Sequence, residues 1–368
     1  MTRKFQYFLL CAYFIAPHYL FYYLFDIRAI KPFDIAALFI LISFIFNSNF
    51  KFRIDKAFFY LASWYFIRSI ISSFEIGAES LLYGVKLYEY LVIFTAIGLQ
   101  DKVAKNKLLL IIIISTIFWA SLELFGYSLN IGWGDRLSAQ YGGPYELGAI
   151  AIIGVILFRE SKYRLISLFI LLLSGAKSSI LSLFSSTLIY KKKYAILGIA
   201  LIVVAGIFFN EQFRGREFII STTDLLSDNL LKIYNDVNTT ENKHEYDENW
   251  NSREVYFKGS NIDLSTGSRI YTYFLIIKSI SGLGWIYGNG PGYYSAAVDS
   301  SILRLLGETG LMGLILFALF MRKIFSGIGY HWLTLAVTLN MLLVDIFFSA
   351  RFLCVLYLIF IMKYENKK

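Results

Sequence analysis

The chain has few of the residues that staple or punctuate soluble domains. Its 368 residues include only two cysteines and four prolines. Cys11 and Cys354 both lie inside apolar runs, so neither a disulfide framework nor a cysteine metal cluster is on offer. The three histidines, His18, His244 and His331, fall in different segments without ligand spacing, which argues against a histidine metal centre. Low-complexity tracts are absent, which with the scarcity of proline argues against a disordered or fibrous chain. There is no Ser-His-Asp pattern, nucleotide-binding fingerprint or haem pair. Charge is scarce as well, at 17% of residues, where a soluble domain carries about 25%.

Apolar and aromatic side chains fill the gap. Hydrophobic residues make up 57% and aromatic residues 18% of the chain, and the mean hydropathy is +0.58. A soluble globule of this length could not hide that much Phe, Tyr, Ile and Leu from water, so the composition points to an all-α integral membrane protein. A hydrocarbon core about 30 Å thick needs about 20 apolar residues per helix, somewhat fewer where the bilayer thins. Apolar runs between charge clusters give the spans Phe5–Phe25, Phe33–Phe46, Ala57–Phe74, Leu81–Leu99, Leu108–Phe125 and Leu147–Phe158. They continue with Leu165–Ser174, Ser179–Tyr190, Tyr194–Asn210, Ile302–Met321, Gly329–Phe348 and Phe352–Met362. The expectation is about twelve transmembrane helices, within a range of about ten to fourteen. The short runs over 165–190 fit either two half-length helices or one broken pair.

The net charge of +9 is distributed by side rather than gathered in a patch. Every second connection is basic, from Arg3 and Lys4 through Lys51, Arg53 and Lys56 to Lys363, Lys367 and Lys368. The intervening short loops offer only Arg28, Lys31, Arg136, Lys177 and Arg351. Roughly 19 cations against 5 is a positive-inside bias that places both termini in the cytoplasm. The charge is thus a topology signal, and no nucleic-acid partner is expected. The first span is too long and lacks a small-x-small site, so it reads as an uncleaved anchor.

This arrangement divides the chain into an N-terminal bundle of about nine spans (1–210), a large extracytoplasmic loop (211–300) and about three C-terminal spans (301–368). Within the loop, Leu226, Leu230, Ile233 and Val237 fall at helical spacing, and Ser221-Thr222-Thr223 offers cap oxygens before them. Arg269–Ile280 is a second helical stretch, apolar enough to lie at the bilayer surface. The run from Gly282 to Tyr294 has five glycines and a proline, which preclude a regular helix and let backbone approach a ligand closely. No Gly-Lys-Ser/Thr follows it, so it is not a phosphate-binding P-loop. A tight turn with aromatic interface anchors is the alternative.

Cations on the outer face run against the charge bias and so attract a functional reading. Arg136, Lys177, Arg214, Arg216 and Arg269 together suit an outward-facing anion site for a phosphate-bearing ligand. Singly, each is equally explained by snorkelling to headgroups or by pairing with a neighbour, as Arg136 with Asp135. Asp299 lies where the loop re-enters the membrane and is a candidate general base, or alternatively the N-cap of a helix starting near Ile302. Glu308 stands four residues after Arg304, a spacing that predicts an ion pair on one helix face. Asp345 and Arg351 form a second candidate pair.

The ordered set of these features resembles the O-antigen polymerase/ligase superfamily of bacterial inner membranes. Leu303, Glu308, Gly310, Leu311 and Gly313 match a motif in which ligases carry His-Asn ahead of the leucine. Asp299 and Ser300 stand in those two places here, a departure that favours a polymerase. Ser268-Arg269, the Gly288–Gly292 turn, the Arg136–Pro144 stretch and Ser174–Ser179 also fit, with Lys177 replacing an arginine. The resemblance implies polymerisation of oligosaccharide repeat units carried on undecaprenyl pyrophosphate, at the periplasmic face. It implies Asp299 and Arg269 as catalytic residues. Arg136, Lys177, Arg214, Arg216 and Tyr293 would bind the pyrophosphate or glycan. It requires no cofactor or metal and leaves room for a chain-length regulator and a flippase as partners. A lipid-linked oligosaccharide flippase and an O-antigen ligase are the competing readings; the first would usually show two related halves, and none is visible.

Overall fold

The structure is a computed structural model and describes residues 3–26, 31–46, 55–127, 137–158, 162–190, 235, 264–294 and 300–365. Among these residues all regular structure is helical. In chain order the helices are α1 (Arg3–Ile15), α2 (Leu20–Phe25), α3 (Pro32–Ile45), α4 (Lys56–Ile76), α5 (Glu79–Leu99), α6 (Lys102–Leu124) and α7 (Pro144–Leu157). They continue with α8 (Lys162–Leu173), α9 (Lys177–Tyr190), α10 (Leu264–Ser279), α11 (Gly284–Tyr287), α12 (Ser301–Ile328), α13 (His331–Leu343) and α14 (Ala350–Glu365). Local chemistry sets several boundaries. Pro32 opens α3, where its missing N–H costs nothing, and Asp34 accepts from the Lys31 N–H at 2.8 Å. Asp101 caps α6 by accepting from the Ala104 N–H at 2.7 Å.

By length and composition, α5, α6 and α12 are able to cross a membrane; α3, α7, α13 and parts of α8 and α10 are shorter apolar helices. These are the helices of a membrane-embedded protein. The stretch 165–190 forms two short helices, α8 and α9, joined by a turn at Ser174–Ala176. The Tyr194–Asn210 run and the Leu226–Val237 pattern lie outside the described residues.

The chain divides into two compact units. The first comprises 1–60, 86–213 and 318–368; the second comprises 61–85 and 214–317. In the first unit α1 packs on α3 and α6, while α7 packs on α8, α9 and α13, and α14 on α6 and α7. Aromatic rings fill its core: Phe94 stacks on Tyr357 with centroids 4.0 Å apart, and Phe58 sits 4.8 Å from Phe320.

The expected single span Phe5–Phe25 is broken. Pro17 cannot continue the α1 ladder, and the chain restarts as α2 only at Leu20. Carbonyls released by the break are taken up within the unit. The Trp119 indole N–H donates to Ile15 O at 3.1 Å, and the Arg351 guanidinium donates to Ala16 O at 2.5 Å. Non-helical backbone among apolar helices is tolerated where such partners exist.

Candidate functional site

In the second unit the residues that carry the motif after Ser300 fold into one knot with the glycine-rich turn. Glu308 is fully buried. Its carboxylate accepts from the Tyr65 hydroxyl, from Arg304 Nε at 3.2 Å, and from the Gly292 N–H at 3.1 Å. The i,i+4 pair expected from the sequence is therefore present and buried. The turn is laid along α12 by main-chain bonds: Asn289 N donates to Gly307 O at 2.7 Å and Gly290 N to Glu308 O at 2.9 Å.

This close approach requires glycine twice. At Gly288 (φ +72°) a Cβ would come within 2.4 Å of the Glu308 main chain. At Gly310 (φ +67°), where α12 leaves helical geometry, it would come within 2.2 Å of Ile286 O. Both sites combine a positive φ with contact against backbone, so no other residue fits without rearrangement. The Thr309 carbonyl at the break accepts the Trp64 indole N–H at 3.1 Å, and Gly288 O accepts from Arg68 Nη2 at 2.8 Å. Ser80 Oγ donates to Pro291 O at 2.8 Å.

Leu303 packs against Ile276, Ile280 and Tyr294, joining α12 to α10. The Asn289 amide donates to the Tyr294 hydroxyl at 2.8 Å, fixing the turn from its other side. Tyr293 is half-buried, edge-on to Tyr294 at 4.9 Å. Burial, with a contribution from the Glu75 carboxylate, pushes its phenol above the ordinary range, so it is a hydrogen-bond donor at neutral pH. Chemically, Glu308 is committed to its donors. It buttresses the turn.

Of the expected site residues, Tyr293 and the backbone of Arg269, on α10, belong to this unit. Lys177 begins α9 in the first unit and is half-buried. Arg136, Arg214, Arg216 and Asp299 lie outside the described residues.

Tyr65, Arg68, Asp34, Lys86 and Glu89 carried no expectation from the sequence, although they are polar residues in or beside apolar runs. Tyr65 and Arg68 of α4 hold the knot just described. In the first unit, Lys86 Nζ lies 2.5 Å from Asp34 Oδ1 and 3.0 Å from Glu89 Oε2. The same ammonium lies 4.9 Å over the Phe33 ring, and the Arg351 guanidinium lies 4.8 Å over it. His18 approaches Phe33 with ring centroids 5.4 Å apart. Gly142, beside His18, donates its N–H to Glu146 Oε2 at 3.0 Å. A charged residue within a span was the available signal for both sets. No protein-family model matches the chain, and no curated protein or solved structure matches it.

Proposed function

We propose that this protein is an inner-membrane polysaccharide polymerase that joins oligosaccharide repeat units carried on undecaprenyl pyrophosphate. In this reading about twelve spans place both termini in the cytoplasm and the large loop in the periplasm. A hydroxyl of the acceptor sugar attacks the anomeric carbon of the donor glycan. Its proton passes to Asp299, the bond from that carbon to the pyrophosphate oxygen breaks, and the electron pair leaves on the lipid diphosphate. Arg269 stabilises the charge developing on that leaving group; Arg136, Lys177, Arg214 and Arg216 hold the diphosphate, and Tyr293 meets the glycan.

One observation carries the reading. Part of the set behind the resemblance is gathered in one place: Leu303, Glu308, Gly310 and the Gly288–Gly292 turn build a single knot around a buried carboxylate. A motif whose members depend on one another supports a common origin better than the same letters dispersed through a bundle.

The test is the banding of surface glycan on a gel. A strain lacking the protein should show single-repeat glycan exposed outside, and the ladder should return with the wild-type gene. Single-repeat glycan trapped on the cytoplasmic side would instead indicate a flippase, and an unchanged ladder would remove the proposal.

A further inference from the structure

The knot in the second unit accounts for the motif but leaves the polar cluster around Phe33 without a task. That cluster joins Asp34 at the start of α3, Lys86 and Glu89 on α5, Arg351 at the start of α14, and Glu146 at the start of α7. Its donors and acceptors do not all meet one another. Lys86 serves both Asp34 and Glu89, yet Glu89 Oε1 is buried without a hydrogen-bond partner. Arg351 is 1% exposed and its Nε is unpartnered, although its other nitrogens donate to Ala16 O and Gln140 O. Leaving such groups unmet in a low-dielectric interior is costly, so the arrangement calls for a ligand that both donates and accepts. The cluster is not sealed within the protein, since the side chains of Lys86 and Asp34 remain 35% and 29% exposed.

Elimination narrows the ligand class. A diphosphate would meet three carboxylates, Asp34, Glu89 and Glu146, and cations that are already engaged: Lys86 with Asp34 and Glu89, Arg351 with two main-chain carbonyls, and Lys31 with the Tyr19 ring. A metal ion lacks a site, since no group of three metal-ligating side chains converges among the described residues. What remains is a neutral ligand rich in hydroxyls. We propose that the Asp34–Lys86–Glu89 cluster is a glycan subsite, in which sugar hydroxyls donate to Glu89 and Asp34 and accept from Lys86. The inference rests on the polymerase reading and names the sugar, not the diphosphate, as what this cluster holds. Mixed acid–base pairs suit a sugar hydroxyl because it donates and accepts at one oxygen.

The experiment uses the full-length protein in nanodiscs and the repeat-unit oligosaccharide freed from its lipid pyrophosphate by mild acid. Binding is measured by calorimetry, and extension of intact lipid-linked repeat units is followed in parallel. Glu89→Gln and Lys86→Met should each weaken oligosaccharide binding at least tenfold. Asp34→Asn, at a partly exposed side chain, provides a variant that folds even if the buried ones do not. It should weaken binding severalfold, beyond any change in its thermal midpoint, which is measured alongside. Wild-type protein that extends glycan while all folded variants bind like wild type overturns the subsite and leaves the polymerase reading standing. Wild-type protein that neither binds nor extends overturns both.

Discussion

The Tyr65 hydroxyl and the Arg304 guanidinium both donate to the Glu308 carboxylate, which has no exposure to water. Tyr65→Phe removes one donor and leaves the shape, and it should lower the unfolding free energy by about 1–3 kcal/mol. Arg304→Met leaves the carboxylate without its countercharge and should cost more, about 3–5 kcal/mol. Thermal unfolding of detergent-purified protein ranks the two. If Tyr65→Phe proves the more damaging, the ion pair is not what organises the knot. The Arg304–Glu308 pair was legible in sequence because four residues on a helix bring two side chains together. Tyr65 was not, because it meets Glu308 from 243 positions away and only the fold supplies that proximity. Lys86 and Glu89 are a similar case: their positions inside an apolar run were visible, whereas Asp34 and Phe33 as neighbours were not.

Helices carry their own tests. Gly310 interrupts α12 at positive φ with Ile286 backbone against it, while Gly98, in α5, has nothing within 4 Å of where its Cβ would stand. Gly310→Ala should therefore be strongly destabilising, by more than about 2 kcal/mol, combining φ strain with a backbone clash. Gly98→Ala should be neutral or stabilising by up to about 1 kcal/mol, as an ordinary helix-interior exchange. Limited proteolysis and thermal midpoints of the two variants check the contrast. Equal behaviour would mean that the break at Gly310 is not needed. At this scale apolar runs predicted most helices well, because burial in lipid or in protein selects the same side chains. They failed where a break is repaired from a distance: Pro17 was in plain view, but the Trp119 and Arg351 partners that let the first span break there were not.

Across the whole molecule, the sidedness expected of the basic residues makes a prediction independent of any chemistry. Cys11 and Cys354 replaced by Ser give a background for single introduced cysteines. Asp247→Cys should react with a membrane-impermeant maleimide in intact spheroplasts, whereas Lys192→Cys should react only after permeabilisation. The opposite pattern would invert the topology and place the loop on the wrong face for lipid-linked glycans. The helical, membrane-embedded character was legible from composition and apolar runs. The candidate site was legible only in part, since the turn and the α12 motif announce themselves by glycine and spacing, while the cations expected around a diphosphate are separated in sequence by loops that carry no periodic signal.

The most direct measurement reconstitutes the purified protein in liposomes with undecaprenyl-pyrophosphate-linked repeat units and resolves the glycan by length. Wild-type protein should convert single repeats into a ladder with release of undecaprenyl pyrophosphate. Asp299→Ala and Arg269→Ala should reduce the ladder at least a hundredfold while remaining folded, a loss in keeping with removal of a general base or of charge stabilisation. Single repeats left unchanged by wild-type protein, or full ladders from both variants, would contradict the account.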